Sequence, residues 1–182
     1  LMEDPGYTQM RKVLSLFNFK ITPITVSPSK GIDVNSVLNT QADAIYLTPS
    51  NQYPMGTSLD TEQRLNILKW AAKNKSWIIE DDYDSEFQYA HRPYASLQGL
   101  AHQSGLTQRC IYVGSFSKTM FNGLRIGYMV VPDSLVDRCL TVKDALCGSS
   151  PAHYQAALAE FIIDGHFLRH LRKMRKLYQQ KH

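Results

Sequence analysis

Cys110-Ile111-Tyr112-Val113-Gly114-Ser115-Phe116-Ser117-Lys118 is the stretch on which the fold turns. A short apolar run rich in β-branched residues ends in a loop of small, hydroxyl-bearing residues. The loop closes on a lysine, and Arg125 follows seven residues later. In an open α/β sheet ligands gather beyond the carboxyl ends of the strands. There, small hydroxyl residues approach a phosphate while a lysine and an arginine add charge. A lysine amine partly withdrawn from water also loses some proton affinity, which condensation with an aldehyde requires. On spacing alone, a Ser-x-Ser-Lys run is more often a polar loop.

Working outward, similar apolar segments alternate with helical ones, the pattern of a mostly parallel sheet covered by helices. Strands are predicted at 21–26, 44–48, 77–81, 110–114 and 126–131. Asp60, with Gln63 three residues on, reads as a capping pair opening a helix whose apolar face includes Leu65, Leu68 and Ala72. Pro5 starts another helix running to about Asn18, and Asp133 begins a third. Residues 1–150 form one unit, and 151–182 a long helix with Leu158, Phe161, Leu168, Leu171, Met174 and Tyr178 near one face. Gly165 is its weak point.

Two more polar loops follow strands. Glu80-Asp81-Asp82-Tyr83-Asp84-Ser85-Glu86 comes directly after Trp77-Ile78-Ile79. Carboxylates packed at a strand end repel one another unless a cation, a protonated nitrogen or a metal compensates. Taken alone, the run reads first as a solvated acidic loop, with a hard-cation site as a rival. Thr48-Pro49-Ser50-Asn51-Gln52-Tyr53-Pro54-Met55-Gly56 is a shaped loop whose polar side chains can face a ligand, although by itself it is a strand-to-helix turn.

Composition narrows the class. With 43% hydrophobic and 20% charged residues, 182 residues can bury a proper core. The net charge of +4 is local. Residues 166–182 carry Arg169, Arg172, Lys173, Arg175, Lys176 and Lys181 with no acid, and the remainder holds fourteen bases against sixteen acids. A nucleic-acid module on that last helix therefore competes with a plain solvated face. Cys110, Cys139 and Cys147 are odd in number, without zinc-site spacing, and read as packing residues. No apolar run approaches bilayer length and no secretory leader opens the chain, so a cytoplasmic protein without membrane attachment is expected.

In order along the chain, Thr48 to Pro54, Glu80 to Phe87, Tyr112 to Lys118, Leu124-Arg125-Ile126-Gly127-Tyr128 and the closing Gly165-His166-Phe167 with Arg169 to Arg175 together resemble the fold-type-I pyridoxal 5'-phosphate (PLP)-dependent aminotransferases. More narrowly they resemble the aminotransferase-like domain of MocR-type regulators of the GntR family. The resemblance implies an incomplete large domain of that fold, with 151–182 leading toward a smaller C-terminal domain. It implies PLP held as a Schiff base on Lys118, Asp81 paired with the pyridine nitrogen, Tyr83 on the phenolic oxygen, Arg125 on the phosphate and Ser115 and Ser117 as hydroxyl donors. Asn51, or Gln52 in its place, stands where aminotransferases contact the ring. Neither the upstream phosphate loop nor the ring-stacking aromatic of the family is found in the sequence. The implied function is sensing of a small amino compound by exchange at Lys118, in a homodimer that reads DNA only through a separate N-terminal domain. A genuine aminotransferase is the alternative.

Overall fold

The computed structural model describes residues 1–87, 94–148 and 151–181. Seven strands form one sheet: β1 (Met2–Asp4), β2 (Pro23–Ser27), β3 (Gly31–Ile32), β4 (Ala44–Leu47), β5 (Trp77–Asp82), β6 (Cys110–Ser115) and β7 (Gly127–Val130). Their order is β3-β2-β1-β4-β5-β6-β7. The inner run β2-β1-β4-β5-β6 is parallel, and the two edges, β3 and β7, are antiparallel. The five strands expected from the sequence all form, and two are added. β1 has only Met-Glu-Asp to announce it, and β3 is two residues long.

Three helices, α2 (Val34–Leu38), α3 (Thr61–Asn74) and α4 (Leu97–Gln103), pack on the sheet. Asp60 and Gln63 make a reciprocal capping box that fixes where α3 starts. From α3, Ile67, Leu68, Trp70 and Ala71 join Ile24, Ile45, Leu47, Ile78, Leu97 and Cys110 in the main core. Burial pushes the Cys110 thiol up to about 12, in keeping with a packing residue. The remaining helices are α1 (Thr8–Leu16), α5 (Asp133–Cys147), α6 (Ala152–Ile163) and α7 (His166–Lys181). Neither α1 nor α5 contains a buried residue, and Val13, Leu16, Leu140 and Leu146 stand exposed on them.

The long helix expected over 151–182 is two helices. Gly165 takes φ +71 between α6 and α7, a conformation that ends a right-handed helix and suits a residue without Cβ. This break turns α7 back onto the carboxyl end of the sheet. The His170 ring nitrogen Nε2 lies 3.0 Å from the Thr119 carbonyl, Phe167 meets Phe116 edge-on at 5.8 Å, and Tyr178 meets Phe87 at 5.3 Å. Arg175 donates to the Glu86 carbonyl and Arg169 to that of Asp164. These two arginines of the basic stripe thus bond within the chain while remaining exposed.

Candidate functional site

Strand alternation separates the carboxylates that the sequence crowds together. On β5, Glu80 and Asp82 are buried and Asp81 faces the other way, so each finds its own partners. Glu80 lies 3.4 Å from Arg64, both side chains fully buried, and accepts the Leu97 and Gln98 amides at the start of α4. Arg64 also donates to the Leu59, Pro49 and Ala95 carbonyls, tying β5, α3, α4 and the loop after β4 into one block. Tyr112 donates to Asp82 at 2.9 Å, and Tyr46 donates to Asp81. No cluster of three or more metal-ligating side chains occurs among the described residues.

At the carboxyl edge of the parallel strands a cleft of about 480 Å³ opens, lined by Tyr7, Thr48, Tyr53, Asp81, Tyr83, Ser115, Ser117, Lys118, Arg125, Ile126 and Gly127. Topology explains why residues so distant in sequence meet there. β1, β4, β5 and β6 all end at this edge, and antiparallel β7 begins there, its Gly127 paired with Ser115. The Phe116 amide donates to the Ile126 carbonyl at 3.0 Å, locking the lysine loop to the arginine loop. The Ser117 amide donates to Ser115 Oγ and the Met120 amide to the Phe116 carbonyl, so Lys118 rides on a single tight turn. Arg125 is held at φ +52, a left-handed conformation uncommon for a side-chain-bearing residue and a feature that gathers at binding sites.

Burial shifts two of the ionisable groups that line the cleft. Burial pushes the Asp81 carboxyl above its ordinary range and the neighbouring Asp82 adds to this, while the bond from Tyr46 pulls the other way. Burial and the Asp84, Asp81 and Glu3 carboxylates push the Tyr83 phenol up, keeping it neutral. The same cleft holds two hydroxyls, a lysine amine and a guanidinium. A carboxyl suited to a protonated ring nitrogen thus shares the cleft with donors suited to a phosphate. This donor set fits the polar groups of PLP.

Six of the seven residues expected to form the site line this one cleft: Lys118, Asp81, Tyr83, Arg125, Ser115 and Ser117. Asn51 does not. Its amide donates to Asp84 Oδ2 at 2.7 Å, and its carbonyl accepts the Tyr83 hydroxyl at 2.9 Å. Gln52 is buried and bonded to the Pro5 and Tyr53 carbonyls. The lysine also departs from expectation: Lys118 is exposed at the cleft rather than withdrawn from water. Two aromatic side chains that the sequence reading did not single out also line the cleft. Tyr7 and Tyr53 meet edge-to-face at 5.9 Å, and Tyr53 continues to Tyr83 at 6.3 Å. Tyr7 is placed by β1, the strand that only Met2, Glu3 and Asp4 could have signalled. Thr48 is likewise a lining residue that sequence reasoning left within a turn.

Comparisons with known proteins bear on this geometry. Residues 1–182 match the family described as aminotransferase class I and II. The chain is 41% identical over 179 residues to the uncharacterized HTH-type transcriptional regulator YdeL of Bacillus subtilis, an alignment covering 98% of this chain and 38% of that protein. It is 40% identical over 185 residues to the probable rhizopine catabolism regulatory protein MocR of Rhizobium meliloti, covering 99% and 36%. The chain therefore spans under two-fifths of the length of these curated relatives. Among solved structures, the α-aminoadipate aminotransferase LysN of Thermus thermophilus superposes with a TM-score of 0.90 at 24% identity, over 99% of this chain and 46% of that one. A kynurenine aminotransferase of Pyrococcus horikoshii gives 0.88 at 22%, over 98% and 45%.

Proposed function

From the premise that the chain belongs to the aminotransferase class I and II family, we propose that it binds PLP and serves as the effector-sensing part of a MocR-type transcriptional regulator. One observation carries the cofactor reading: Asp81 and Lys118, 37 positions apart, line a single cleft together with Ser115, Ser117 and Arg125. The regulatory reading is supported by the similarity to HTH-type regulators.

When bound, PLP supplies an aldehyde that condenses reversibly with amines and a ring that withdraws electrons. Lys118 would hold the cofactor through its side-chain amine, in a linkage that an incoming amino compound could exchange. Asp81, to which Tyr46 donates, would keep a proton on the ring nitrogen. Tyr83 would turn its hydroxyl from the Asn51 carbonyl to the phenolic oxygen, and Tyr7 and Tyr53 would supply aromatic walls for the ring. Arg125, Ser115 and Ser117 would hold the phosphate. In a homodimer, effector-dependent contacts bias two arrangements that a separate DNA-binding domain reads. These steps suit a cytoplasmic protein, and no helix among the described residues is long and apolar enough to cross a membrane.

The experiment uses the intact gene product. With PLP it is titrated with a panel of amino acids, amines and ω-amino acids while absorbance and operator binding are read together. An amino compound that shifts the visible band and changes operator affinity, both lost in Lys118→Ala, is the expected result. Sustained conversion of amino donor and keto acid over many turnovers, with no effect on DNA binding, overturns the regulatory reading. It would instead favour a genuine aminotransferase, the fold's solved neighbours being aminotransferases.

A further inference from the structure

Two buried polar side chains, Glu3 of β1 and Gln52 of the loop after β4, are not among the residues that line the cleft. They are 1% and 3% exposed. Burying a carboxyl or a side-chain amide costs free energy unless its polar atoms find partners. The partners of these two lie in the loops that carry Tyr7 and Tyr53.

Glu3 Oε2 accepts the Thr48 amide at 3.2 Å and the Thr48 hydroxyl at 2.7 Å. With its own proton committed to Glu3, Thr48 Oγ1 is left as an acceptor, and it takes the Tyr53 amide at 3.0 Å. Gln52 commits both of its amide hydrogens. Its Nε2 donates to the Tyr53 carbonyl at 2.7 Å and to the carbonyl of Pro5, two residues before Tyr7, at 3.0 Å. Its Oε1 accepts the Met55 amide at 3.1 Å, so each polar atom of the side chain has a partner. Between Glu3 and Tyr7 the chain turns so tightly that a Cβ at Gly6 would strike the Glu3 carbonyl.

We infer that Glu3 and Gln52 are positioning residues for the aromatic wall of the cofactor cleft: through Thr48 and the Pro5 and Tyr53 carbonyls they tie the end of β1 to the loop after β4, so that Tyr7 and Tyr53 stand in place before a ring arrives. The two tyrosines are 38% and 45% exposed and meet edge-to-face, so burial does little to order them and the backbone beneath supplies the order. A buried network with its groups satisfied is stiff, because any member that moves loses a partner. A wall ordered in advance spares the ligand the cost of ordering it. The same bonds explain why Gln52 is not a ring contact, since both of its donors are spent within the loops.

This inference rests on the PLP reading and is tested in the intact gene product with PLP. Gln52→Met fills similar space without donors, and Glu3→Leu removes the acceptor for Thr48, whereas Glu3→Gln keeps one. PLP affinity is read together with the circular dichroism of the bound cofactor's visible band at saturation. The dichroism reports how the ring is seated and is indifferent to a mere loss of stability. Gln52→Met and Glu3→Leu should each diminish the dichroism and weaken PLP binding roughly tenfold, the scale of two side chains ordered on binding instead of beforehand. Glu3→Gln should stay near the wild type. In protein already carrying Tyr7→Leu and Tyr53→Leu, Gln52→Met should cost little more, because the wall it serves is gone. Wild-type affinity and dichroism in Gln52→Met overturn the inference, and so does a tenfold loss that persists undiminished without the tyrosines. Both outcomes are read on Gln52→Met even where Glu3→Leu does not fold. A wild-type protein that shows no visible band with PLP overturns the underlying PLP reading itself.

Discussion

Replacing Glu3 by glutamine should make the protein more stable at neutral pH and remove a specific loss of stability between about pH 4.5 and 7. Glu3 is 1% exposed on β1, and its Oε2 accepts both the Thr48 amide at 3.2 Å and the Thr48 hydroxyl at 2.7 Å. Burial nevertheless wins over these bonds and, with the nearby Asp81 charge adding to it, raises the carboxyl from 4.5 to about 7. The sign follows from proton counting. Between those two values the folded state keeps a proton that the unfolded chain has lost, so the stability Glu3 contributes at low pH drains away as pH rises. At about 1.4 kcal/mol per unit of pH the loss approaches 3 kcal/mol, a large share of the 5–15 kcal/mol typical of a whole protein. Urea unfolding from pH 4 to 8.5 at constant ionic strength reads it directly. The wild-type midpoint should drop by roughly 1–2 M relative to Glu3→Gln across the window, the two coinciding near pH 4. Glu80, Asp81, Asp84 and Glu86 are also raised by burial but are common to both proteins and cancel. Parallel curves for the two proteins would refute the reasoning.

Two further outcomes follow from packing. Arg64→Ala strands a fully buried Glu80 and frees three carbonyls, so chemical denaturation should show a loss of about 3–5 kcal/mol, reduced when Glu80→Leu is added. Gly114→Ala would drive a methyl into the Tyr128 ring, forcing that ring away from Tyr112 and Phe116. A loss of about 1–3 kcal/mol with weakened PLP binding is expected, measured by thermal unfolding with and without cofactor.

Much of the sheet was legible because its central strands, such as Ala44–Leu47 and Trp77–Asp82, are apolar runs ending in polar loops. The site was legible for the same reason, since parallel strands deliver their carboxyl ends to one edge and the loops there bring Asp81, Ser115 and Lys118 together. β1 was hidden because its middle residue, Glu3, is a charge that the fold buries, which no hydrophobic pattern announces. With β1 unseen, Tyr7 could not be placed in the cleft. Pairings across long sequence separations, Tyr46 with Asp81 and Asn51 with Asp84, leave no periodic trace, and the second of these turned Asn51 away from the cleft. The break at Gly165 was foreshadowed as a weak point, but the return of α7 onto the lysine loop depends on tertiary contacts of Phe167 and His170.

Borohydride reduction of the PLP-treated intact protein, followed by peptide mapping, tests the central claim most directly. The account predicts one stable phosphopyridoxyl adduct, on Lys118, and none in Lys118→Ala. An adduct on another lysine, or its persistence in that variant, would contradict it.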